Sequence, residues 1–301
     1  MDSILQEIAE LKARHHAVIM AHNYTLGEIQ DIADYTGDSL ELSRKAAESK
    51  APVIVFCGVR FMAETAKILS PDSIVLHPEP EAGCPMADMA DPSEVAAYKL
   101  ANPDTLLIAY VNTTAATKKE VDLCCTSGNA EKIISKLPEN QKIMFLPDSN
   151  LGRNVSEILN RPMNFWGGCC PIHDRITVAD IERARKAHPG AVVLVHPECR
   201  PEVVAAADEA LSTGGMLKFV QESAAAEFIV GTECGIMHRM SKENPGKNFY
   251  ALEPVPVCVD MKKITLEKVR DALLNMAPQV ELPPETARDA VQCIRNMLAV
   301  K

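Results

Sequence analysis

Three cysteines recur at almost equal intervals along the chain, and cysteine thiolates are common ligands of zinc and of iron–sulfur clusters. Cys84, Cys170 and Cys258 are separated by 86 and 88 residues. Cys84 lies in the segment "EAGCPMADM", which has no second cysteine two or three residues away. This excludes a local zinc knuckle or ferredoxin-type motif, so a metal site that uses Cys84 must take its other ligands from distant parts of the chain.

Pairs of polar residues recur with the same period, each at the end of an apolar run. The pairs are His22 and Tyr24 in "VIMAHNY", Tyr110 and Asn112 in "LLIAYVN", and His196 and Glu198 in "VVLVHPE". The first members of the pairs are 88 and 86 residues apart. Because side chains two residues apart on a strand point to the same side, we expect each pair to face one pocket.

A hydroxyl group precedes a helical pattern with the same period. Ser39 and Ser127 are 88 residues apart, and Thr213, which follows Ser212, lies a further 86 residues along the chain. The positions of these residues are typical of helix N-caps. A helix N-terminus that carries a hydroxyl is also suited to bind carboxylate or phosphate. The four residues are therefore candidates for anion binding as well as for simple caps.

The elements that must position these residues alternate between strand and helix. Each unit contains a second apolar run, "PVIVFCG", "KIMFLPD" or "EFIVGTE", and a third run that leads to one of the three recurring cysteines. This alternation predicts an α/β fold of three similar βαβ-type domains with parallel sheets, arranged around a pseudo-threefold axis. Ligands bind at the carboxyl ends of such strands, so the active site is expected at the central junction.

The repeats also predict the domain boundaries. The three domains are expected to span residues 1–86, 87–172 and 173–261. Two more helices are predicted within residues 262–301, in "ITLEKVRDALLNM" and "PPETARDAVQCIRNML". We expect both of these helices to pack on the first domain.

Two kinds of metal site suit three converging cysteines. A structural zinc ion would be closed by a fourth ligand, for which His173 in "CCPIHD" is the candidate. A four-iron, four-sulfur cluster would instead keep one iron open, and an open iron is a Lewis acid that helps water to leave a substrate. The neighbouring candidate anion sites favour the cluster, but the pattern alone leaves both sites open.

Composition and charge narrow the class of protein. The 301 residues are 47% hydrophobic with a net charge of −10 and a pI near 5.4, which argues against a nucleic-acid surface. No segment approaches the roughly 18 apolar residues of a membrane span, so we expect a cytoplasmic protein with small-molecule partners. The chain has neither a G-x-G-x-x-G turn nor a phosphate-loop lysine motif. A non-enzymatic iron–sulfur sensor and a structural zinc protein are the alternatives to an enzyme.

Many segments, in order, resemble the quinolinate synthase family. They include "AHNY", "DYTGDSLELSRKA", "GCPMADM", "YVNTTAATKKEVDLCCTSGNA", "GGCCPIH", "STGGM" and "CVDMKK", and they run over nearly the whole chain. The resemblance implies an enzyme that condenses iminoaspartate with dihydroxyacetone phosphate to quinolinate, with release of phosphate and two waters, in de novo NAD biosynthesis. It further implies a functional link to an enzyme that produces iminoaspartate, and neither a nucleic-acid nor a membrane partner.

The same resemblance implies a cofactor and its ligands. One [4Fe-4S] cluster per chain is expected on Cys84, Cys170 and Cys258, with the fourth iron open to substrate. In the family motif the ligand stands three residues before a histidine. The segment "CPIH" therefore identifies Cys170 rather than Cys169 as the ligand.

The chemistry of the implied reaction suggests catalytic roles, because proton transfers dominate it. Glu198 is the predicted general base, Tyr24 its acid–base partner, and His196 is expected beside them. Glu233 and Asp148 lie at the ends of second-run strands. We expect these two carboxylates to be helix caps or groups that support the site.

The resemblance also implies a set of residues that bind substrate. They are His22, Ser39, Tyr110, Asn112, Ser127, His173, Ser212, Thr213 and Met261. His173 is thus expected in the active site rather than on zinc. Most of the set are uncharged hydrogen-bonding groups, so we expect the carboxylates and the phosphate of the substrates to be bound without a fixed positive charge.

Overall fold

Each third of the chain forms one sheet of four parallel strands. The structure is a computed structural model that describes residues 2–300. In every sheet the strand that comes first in the chain lies between the second and the third, and the fourth lies outside the third. The predicted α/β fold with three similar parallel units is therefore confirmed. Within the described residues, no helix has the length and apolar character needed to span a membrane.

The first unit has the strand order β2-β1-β3-β4. Its strands are β1 (Ala17–His22), β2 (Tyr35–Gly37), β3 (Val53–Cys57) and β4 (Ile74–Leu76). Its helices are α1 (Asp2–His15), α2 (Gly27–Ile32), α3 (Ser39–Glu48), α4 (Arg60–Leu69) and α5 (Pro85–Asp88).

The second unit has the strand order β6-β5-β7-β8. Its strands are β5 (Thr105–Tyr110), β6 (Leu123–Cys125), β7 (Lys142–Leu146) and β8 (Asn164–Phe165). Its helices are α6 (Pro92–Ala101), α7 (Ala115–Lys118), α8 (Ala130–Ser135) and α9 (Ser149–Ile158).

The third unit has the strand order β10-β9-β11-β12. Its strands are β9 (Val192–Val195), β10 (Glu209–Ala210), β11 (Glu227–Gly231) and β12 (Asn248–Ala251). Its helices are α10 (Val178–Ala187), α11 (Pro201–Ala206), α12 (Thr213–Glu222) and α13 (Ile236–Glu243). A short 3₁₀ helix (Met261–Lys263), α14 (Leu266–Asn275) and α15 (Pro284–Ala299) complete the chain.

The interior strands are apolar on both faces. Every residue of β3, with the sequence "VIVFC", is buried, and β7 and β11 are buried after their first residue. Helices cover both faces of such parallel sheets, so alternation between polar and apolar residues is not needed. In the interior strands, polar side chains are therefore confined to the strand ends.

One aspartate in each unit ties the first helix of the unit to its sheet. These residues are Asp34, Asp122 and Asp208, which are 88 and 86 residues apart. Their carboxylates accept hydrogen bonds from the N–H groups of Ile19 (2.8 Å), Leu107 (2.9 Å) and Val193 (2.7 Å). They also pair with Lys12 on α1 (2.5 Å), Lys99 on α6 (2.7 Å) and Arg185 on α10 (2.9 Å). The three units thus share a local contact as well as a strand order.

The two C-terminal helices pack in different places. α14 lies against α1 and β3 of the first unit, with Val269 and Leu273 fully buried. α15 instead packs mainly against β6 and α7 of the second unit, and also contacts α4 of the first. The sequence interpretation had placed both helices on the first domain. The apolar side of α15, which includes Cys293 and Ile294, is buried mainly against the second unit.

Candidate active site

The three polar pairs lie at the carboxyl ends of equivalent interior strands. His22 is the last residue of β1, Tyr110 is the last residue of β5, and His196 follows the end of β9. Because β1, β5 and β9 occupy the same place in their sheets, the second member of each pair also falls at an equivalent position. All six side chains line one cavity of about 290 Å³.

The cavity brings together nearly all of the predicted site residues. Those that line it are His22, Tyr24, Ser39, Cys84, Tyr110, Asn112, Ser127, Cys170, His173, His196, Glu198, Thr213, Cys258 and Met261. Ser212 is the exception within the described residues. Its hydroxyl accepts a hydrogen bond from the N–H of Gly215 at 3.1 Å and caps α12. Side chains of all three units therefore meet in one place.

The predicted N-caps are correct at one position only. Ser212 caps α12, whereas α3 is capped by Asp38 and α8 begins after Asn129. Asp38 accepts from two N–H groups of the first turn, which satisfies the helix end without the next residue. The hydroxyls of Ser39 and Ser127 are not needed as caps and line the cavity instead.

The three recurring cysteines each follow the last strand of a unit and reach the same cavity. Burial raises the pKa of Cys84 to about 12 and raises the pKa of Cys170 and Cys258 as well. The sulfurs also affect one another, because Cys258 raises the pKa of Cys84 and Cys84 raises that of Cys170. Such thiols stay protonated unless a bound cation stabilises the thiolates.

The possible metal ligands of the cavity fall into two sets. Within residues 2–300, one set of three side chains has its ligand atoms within 4.8 Å of one another, namely Cys170, His173 and Glu198. The three cysteines are spread more widely than this. Four ligands around one zinc at about 2.3 Å would bring the sulfurs closer together, whereas a multi-iron cluster distributes them over several iron atoms. The three thiols that line the cavity are a suitable donor set for such a cluster.

A continuous chain of hydrogen bonds crosses the cavity wall. The Tyr24 hydroxyl lies 2.5 Å from Oγ1 of Thr232, which lies 2.8 Å from Nε2 of His173. On the other side of the ring, Nδ1 of His173 lies 2.7 Å from Oε2 of Glu198. The Tyr110 hydroxyl donates to the other Glu198 oxygen at 2.5 Å. These hydrogen bonds connect side chains of all three units.

The direction of these bonds follows from the carboxylate. An ionised Glu198 can only accept, so Nδ1 of His173 donates to it. In the neutral imidazole, Nε2 then accepts from the Thr232 hydroxyl, and the Thr232 oxygen accepts from Tyr24. Each group in this series therefore donates to the next, from the Tyr24 hydroxyl to the Glu198 carboxylate.

The environment fixes the charge of the acid–base residues. Burial alone raises the pKa of Glu198, but His196, His173 and the hydrogen bonds from His173 and Tyr110 outweigh it and hold the pKa well below its usual range. Burial and the nearby charge of Glu198 raise the pKa of Tyr24 and of Tyr110 far above the ordinary value. At neutral pH Glu198 is therefore ionised, and the phenols of Tyr24 and Tyr110 are protonated.

Two histidines in the cavity are held neutral and in a defined tautomer. Burial lowers the pKa of His22 to about 3 and that of His196 to about 4. Nδ1 of His22 accepts from the N–H of Tyr24 at 3.2 Å, and Nδ1 of His196 accepts from the N–H of Glu198 at 3.3 Å. In both rings the proton is thus on Nε2, which leaves that nitrogen as a hydrogen-bond donor.

Asp148 and Glu233, whose roles the sequence left open, turn out to differ. Asp148 is fully buried and caps α9 through the N–H groups of Asn150 and Leu151. Glu233 lines the cavity, accepts from the N–H of Cys258 at 3.1 Å and pairs with Lys262 at 2.9 Å. Glu233 therefore positions the loop that carries one of the three cysteines.

Sequence reasoning missed two functional candidates. Thr232 follows β11, and its place at a strand end in "FIVGTE" was the available signal. Arg175 lies two residues beyond His173 and also lines the cavity. The sequence expectation of anion binding without a fixed positive charge did not take this arginine into account.

Comparisons with known proteins identify one family over nearly the whole chain. A family model described as "Quinolinate synthetase A protein" matches residues 6–299. A quinolinate synthase of Methanoregula boonei is 50% identical over 295 residues, which cover 98% of this chain and 97% of the relative. Quinolinate synthases of Desulforudis audaxviator and Geobacter metallireducens are 48% and 46% identical over 299 residues, 99% of this chain and 99% and 98% of the relatives.

Proposed function

Because the chain belongs to the quinolinate synthetase A family, an enzyme family of NAD biosynthesis, we propose that it condenses iminoaspartate with dihydroxyacetone phosphate. The products are quinolinate, inorganic phosphate and two waters, which balances the atoms of the two substrates. The observation that carries this proposal is the hydrogen-bonded chain from Tyr24 to Glu198 in a cavity lined by three cysteines. Proton-transfer groups and candidate cluster ligands thus face the same space.

Cys84, Cys170 and Cys258 would hold one [4Fe-4S] cluster. The donor set supports this assignment, since the three thiols line one cavity and cysteine thiolates are the usual protein ligands of such clusters. When bound, the cluster would supply an open iron that acts as a Lewis acid on a substrate oxygen. Glu233 supports the site by accepting from the N–H of Cys258.

Glu198 is proposed as the general base. Its pKa lies well below the usual range, so the group is ionised at neutral pH, which is the form that accepts a proton. A carboxylate with such a low pKa gives the proton back readily. This suits an isomerisation of the triose, in which a proton leaves one carbon and returns to the next.

Tyr24 is proposed as the proton donor, since its raised pKa keeps the phenol protonated. Loss of a hydroxyl as water requires a proton on the leaving oxygen, and Tyr24 can supply one through its hydroxyl. The bonds through Thr232 and His173 connect Tyr24 to Glu198. His196, stacked on His173 with ring centroids 4.8 Å apart, holds that ring in place.

The remaining groups are proposed to bind the anionic parts of the substrates. Neutral donors would hold the carboxylates and the phosphate: Nε2–H of His22 and the hydroxyl or amide groups of Ser39, Asn112, Ser127 and Thr213. Tyr110, whose hydroxyl donates to Glu198, would contact the substrate in the same space. The buried Oδ1 of Asn112 has no hydrogen-bond partner within the described residues, which favours a contact with an N–H or O–H donor of a bound molecule. Met261 contributes apolar surface, and Ser212 acts through its cap on α12.

The wider setting of the enzyme is part of the proposal. We place domain boundaries at residues 1–86, 87–172 and 173–261 and a pseudo-threefold axis at the cavity, supported by the repeated strand order.

Ten free cysteines suit a reducing, cytoplasmic location. Iminoaspartate would come from an enzyme that oxidises an amino acid to its imine.

An anaerobic turnover assay tests the proposed reaction. The purified protein is supplied with dihydroxyacetone phosphate and with iminoaspartate generated in place, and quinolinate and inorganic phosphate are measured together. The proposal predicts equal amounts of the two products and no quinolinate when either substrate is omitted. Phosphate release without quinolinate would contradict it.

A further inference from the structure

The charged side chains that line the cavity differ in their hydrogen-bond and ion-pair partners. Its carboxylates are Asp38, Glu198, Glu233 and Asp260. Asp38 caps α3, and Glu198 accepts from His173 and Tyr110. Glu233 and Asp260 pair with lysines, Lys262 at 2.9 Å and Lys263 at 2.7 Å. Every acidic group on the wall therefore already has a donor.

Arg175 is in the opposite situation. Within residues 2–300 it is the single lysine or arginine that lines the cavity, and no carboxylate of the described chain lies within 4.0 Å of its guanidinium. The adjacent Asp174 is not available, because Arg200 binds it with two hydrogen bonds of 2.9 and 2.8 Å. The cavity wall thus offers one free positive charge.

The backbone around Arg175 is fixed while its side chain is exposed. The N–H of Asp174 bonds to the carbonyl of Cys170 at 2.9 Å, and the N–H of Ile176 bonds to the carbonyl of His173 at 3.2 Å. Ile176 is buried in the core of the third unit. Arg175 itself is exposed, so its long side chain lies at the rim of the cavity, where an incoming molecule passes.

A second pocket shares this rim. It has a volume of about 210 Å³ and shares Ile172, Arg175 and Val257 with the central cavity. The rest of its wall is mostly apolar, and its one acid, Asp180, is already bound by Arg183 and Thr177. The guanidinium therefore has no competing anion on this side either.

We propose that Arg175 binds an oxyanion of the substrate, a phosphate or a carboxylate, at the rim of the cavity. This inference rests on the proposed function, in which both substrates are anions. Entry of such molecules past buried carboxylates is electrostatically unfavourable, and a guanidinium at the rim offsets that repulsion. Its planar fork also matches the two oxygens of a carboxylate or phosphate, which a lysine ammonium does not.

Kinetics of three variants test this role. Arg175→Gln removes the charge, Arg175→Lys keeps the charge without the fork, and Arg295→Gln makes the same charge change at an exposed position on α15. We expect Arg175→Gln to raise KM for one substrate on the order of 10- to 100-fold with a smaller change in kcat. Arg175→Lys should recover part of the loss, and Arg295→Gln should match the wild type.

Salt dependence and direct binding give independent measurements. The kcat/KM of the wild type should fall more steeply with salt than that of Arg175→Gln. Calorimetry on the anaerobic holoprotein, with inorganic phosphate and with quinolinate as probes, shows whether a phosphate or a dicarboxylate depends on the arginine. Unchanged KM values and unchanged affinities for both probes in Arg175→Gln would overturn the inference.

The outcomes also separate this inference from the proposed function. If the wild type forms no quinolinate but Arg175→Gln loses affinity for phosphate or quinolinate, the proposed function fails and the anion site stands. If quinolinate forms and Arg175→Gln behaves like Arg295→Gln, the anion site fails and the proposed function stands.

Discussion

Tyr110 of the second unit donates a hydrogen bond of 2.5 Å to Glu198 of the third. Both side chains are buried, at 4% exposure each. Because this bond favours the ionised carboxylate, it lowers the pKa of Glu198 together with the two neighbouring histidines. The second unit thus helps to set the charge of the residue proposed as the base in the third.

Replacement of this carboxylate should abolish most of the activity. Glu198→Gln keeps the size of the side chain but cannot accept a proton, so we expect kcat to fall by about 10² to 10⁴. Glu202→Gln, an exposed change on α11, is the matched control. Quinolinate formation and iron content are measured on the same samples. A Glu198→Gln enzyme that keeps its iron and works within a few-fold of the control would rule out the general-base role.

The Thr232 hydroxyl should matter because it connects Tyr24 to His173. Thr232→Val has nearly the same shape but leaves both partners without a hydrogen bond in a buried place, so kcat should fall on the order of 10- to 100-fold. Thr232→Ser restores the hydroxyl and should restore most of the rate. Equal rates for the Val and Ser variants would mean that the hydroxyl has no part in the reaction.

His22 and His196 should remain uncharged across the physiological range. Burial lowers the pKa of His22 to about 3 and that of His196 to about 4, against an ordinary value of 6.5. The hydrogen–deuterium exchange rate at the imidazole C2 carbon, followed by mass spectrometry, reports the charge of each ring. We expect no titration of these two residues between pH 5 and 8 in the folded holoprotein, and ordinary titration in the denatured chain.

The same lowered pKa values predict that the folded protein becomes less stable as the pH falls. The unfolded chain takes up protons on these histidines at a higher pH than the folded protein does. Their contribution therefore favours the fold fully above about pH 6.5 and is lost progressively as the pH falls toward 4 and then 3. His196→Asn should flatten the acid side of the stability profile. A profile with the same slope in the variant would contradict the assigned burial effect.

Much of this arrangement could be predicted from the sequence, because it repeats. The period of 88 and 86 residues places Cys84, Cys170 and Cys258 at equivalent positions, and the three parallel sheets follow from the same repeat. The aspartates that tie each first helix to its sheet show the same spacing, from Asp34 to Asp122 and from there to Asp208. The sequence thus carries a second signal of the same repeat.

Contacts between units could not be predicted in the same way. Tyr24 and Thr232 are 208 residues apart, and their contact depends on how the first and third units pack rather than on any local pattern. The place of α15 on the second unit has the same cause, since its apolar stripe would suit either unit. The free charge of Arg175 becomes visible only when the partners of Asp174, Glu233 and Asp260 are known.

Lys118 should position Asn112 although it lies outside the cavity. Its side chain is fully buried, and its ammonium donates to the carbonyls of Val111, at 2.7 Å, and Thr113, on either side of Asn112. Lys118→Met keeps the stem but leaves the Thr113 carbonyl unpaired, while the Val111 carbonyl keeps its bond from the N–H of Thr113. This should cost about 1–3 kcal/mol of stability and raise KM for a substrate.

The matched control for this change is Lys119→Met, which alters the neighbouring, partly exposed lysine. Chemical denaturation and steady-state kinetics are measured for both variants. A Lys118→Met protein that is destabilised but has wild-type KM values would show that the lysine supports the fold without positioning Asn112.

The most direct test of the account measures the cofactor and the reaction on the same samples. Iron, sulfide and quinolinate formation are measured anaerobically on the wild type and on Cys84→Ala, Cys170→Ala, Cys258→Ala and the adjacent control Cys169→Ala. The account predicts about four irons per chain and quinolinate formation in the wild type and the control, and loss of both in each of the other three variants. Zinc in place of iron, or a Cys84, Cys170 or Cys258 variant that keeps its iron and its activity, would contradict it.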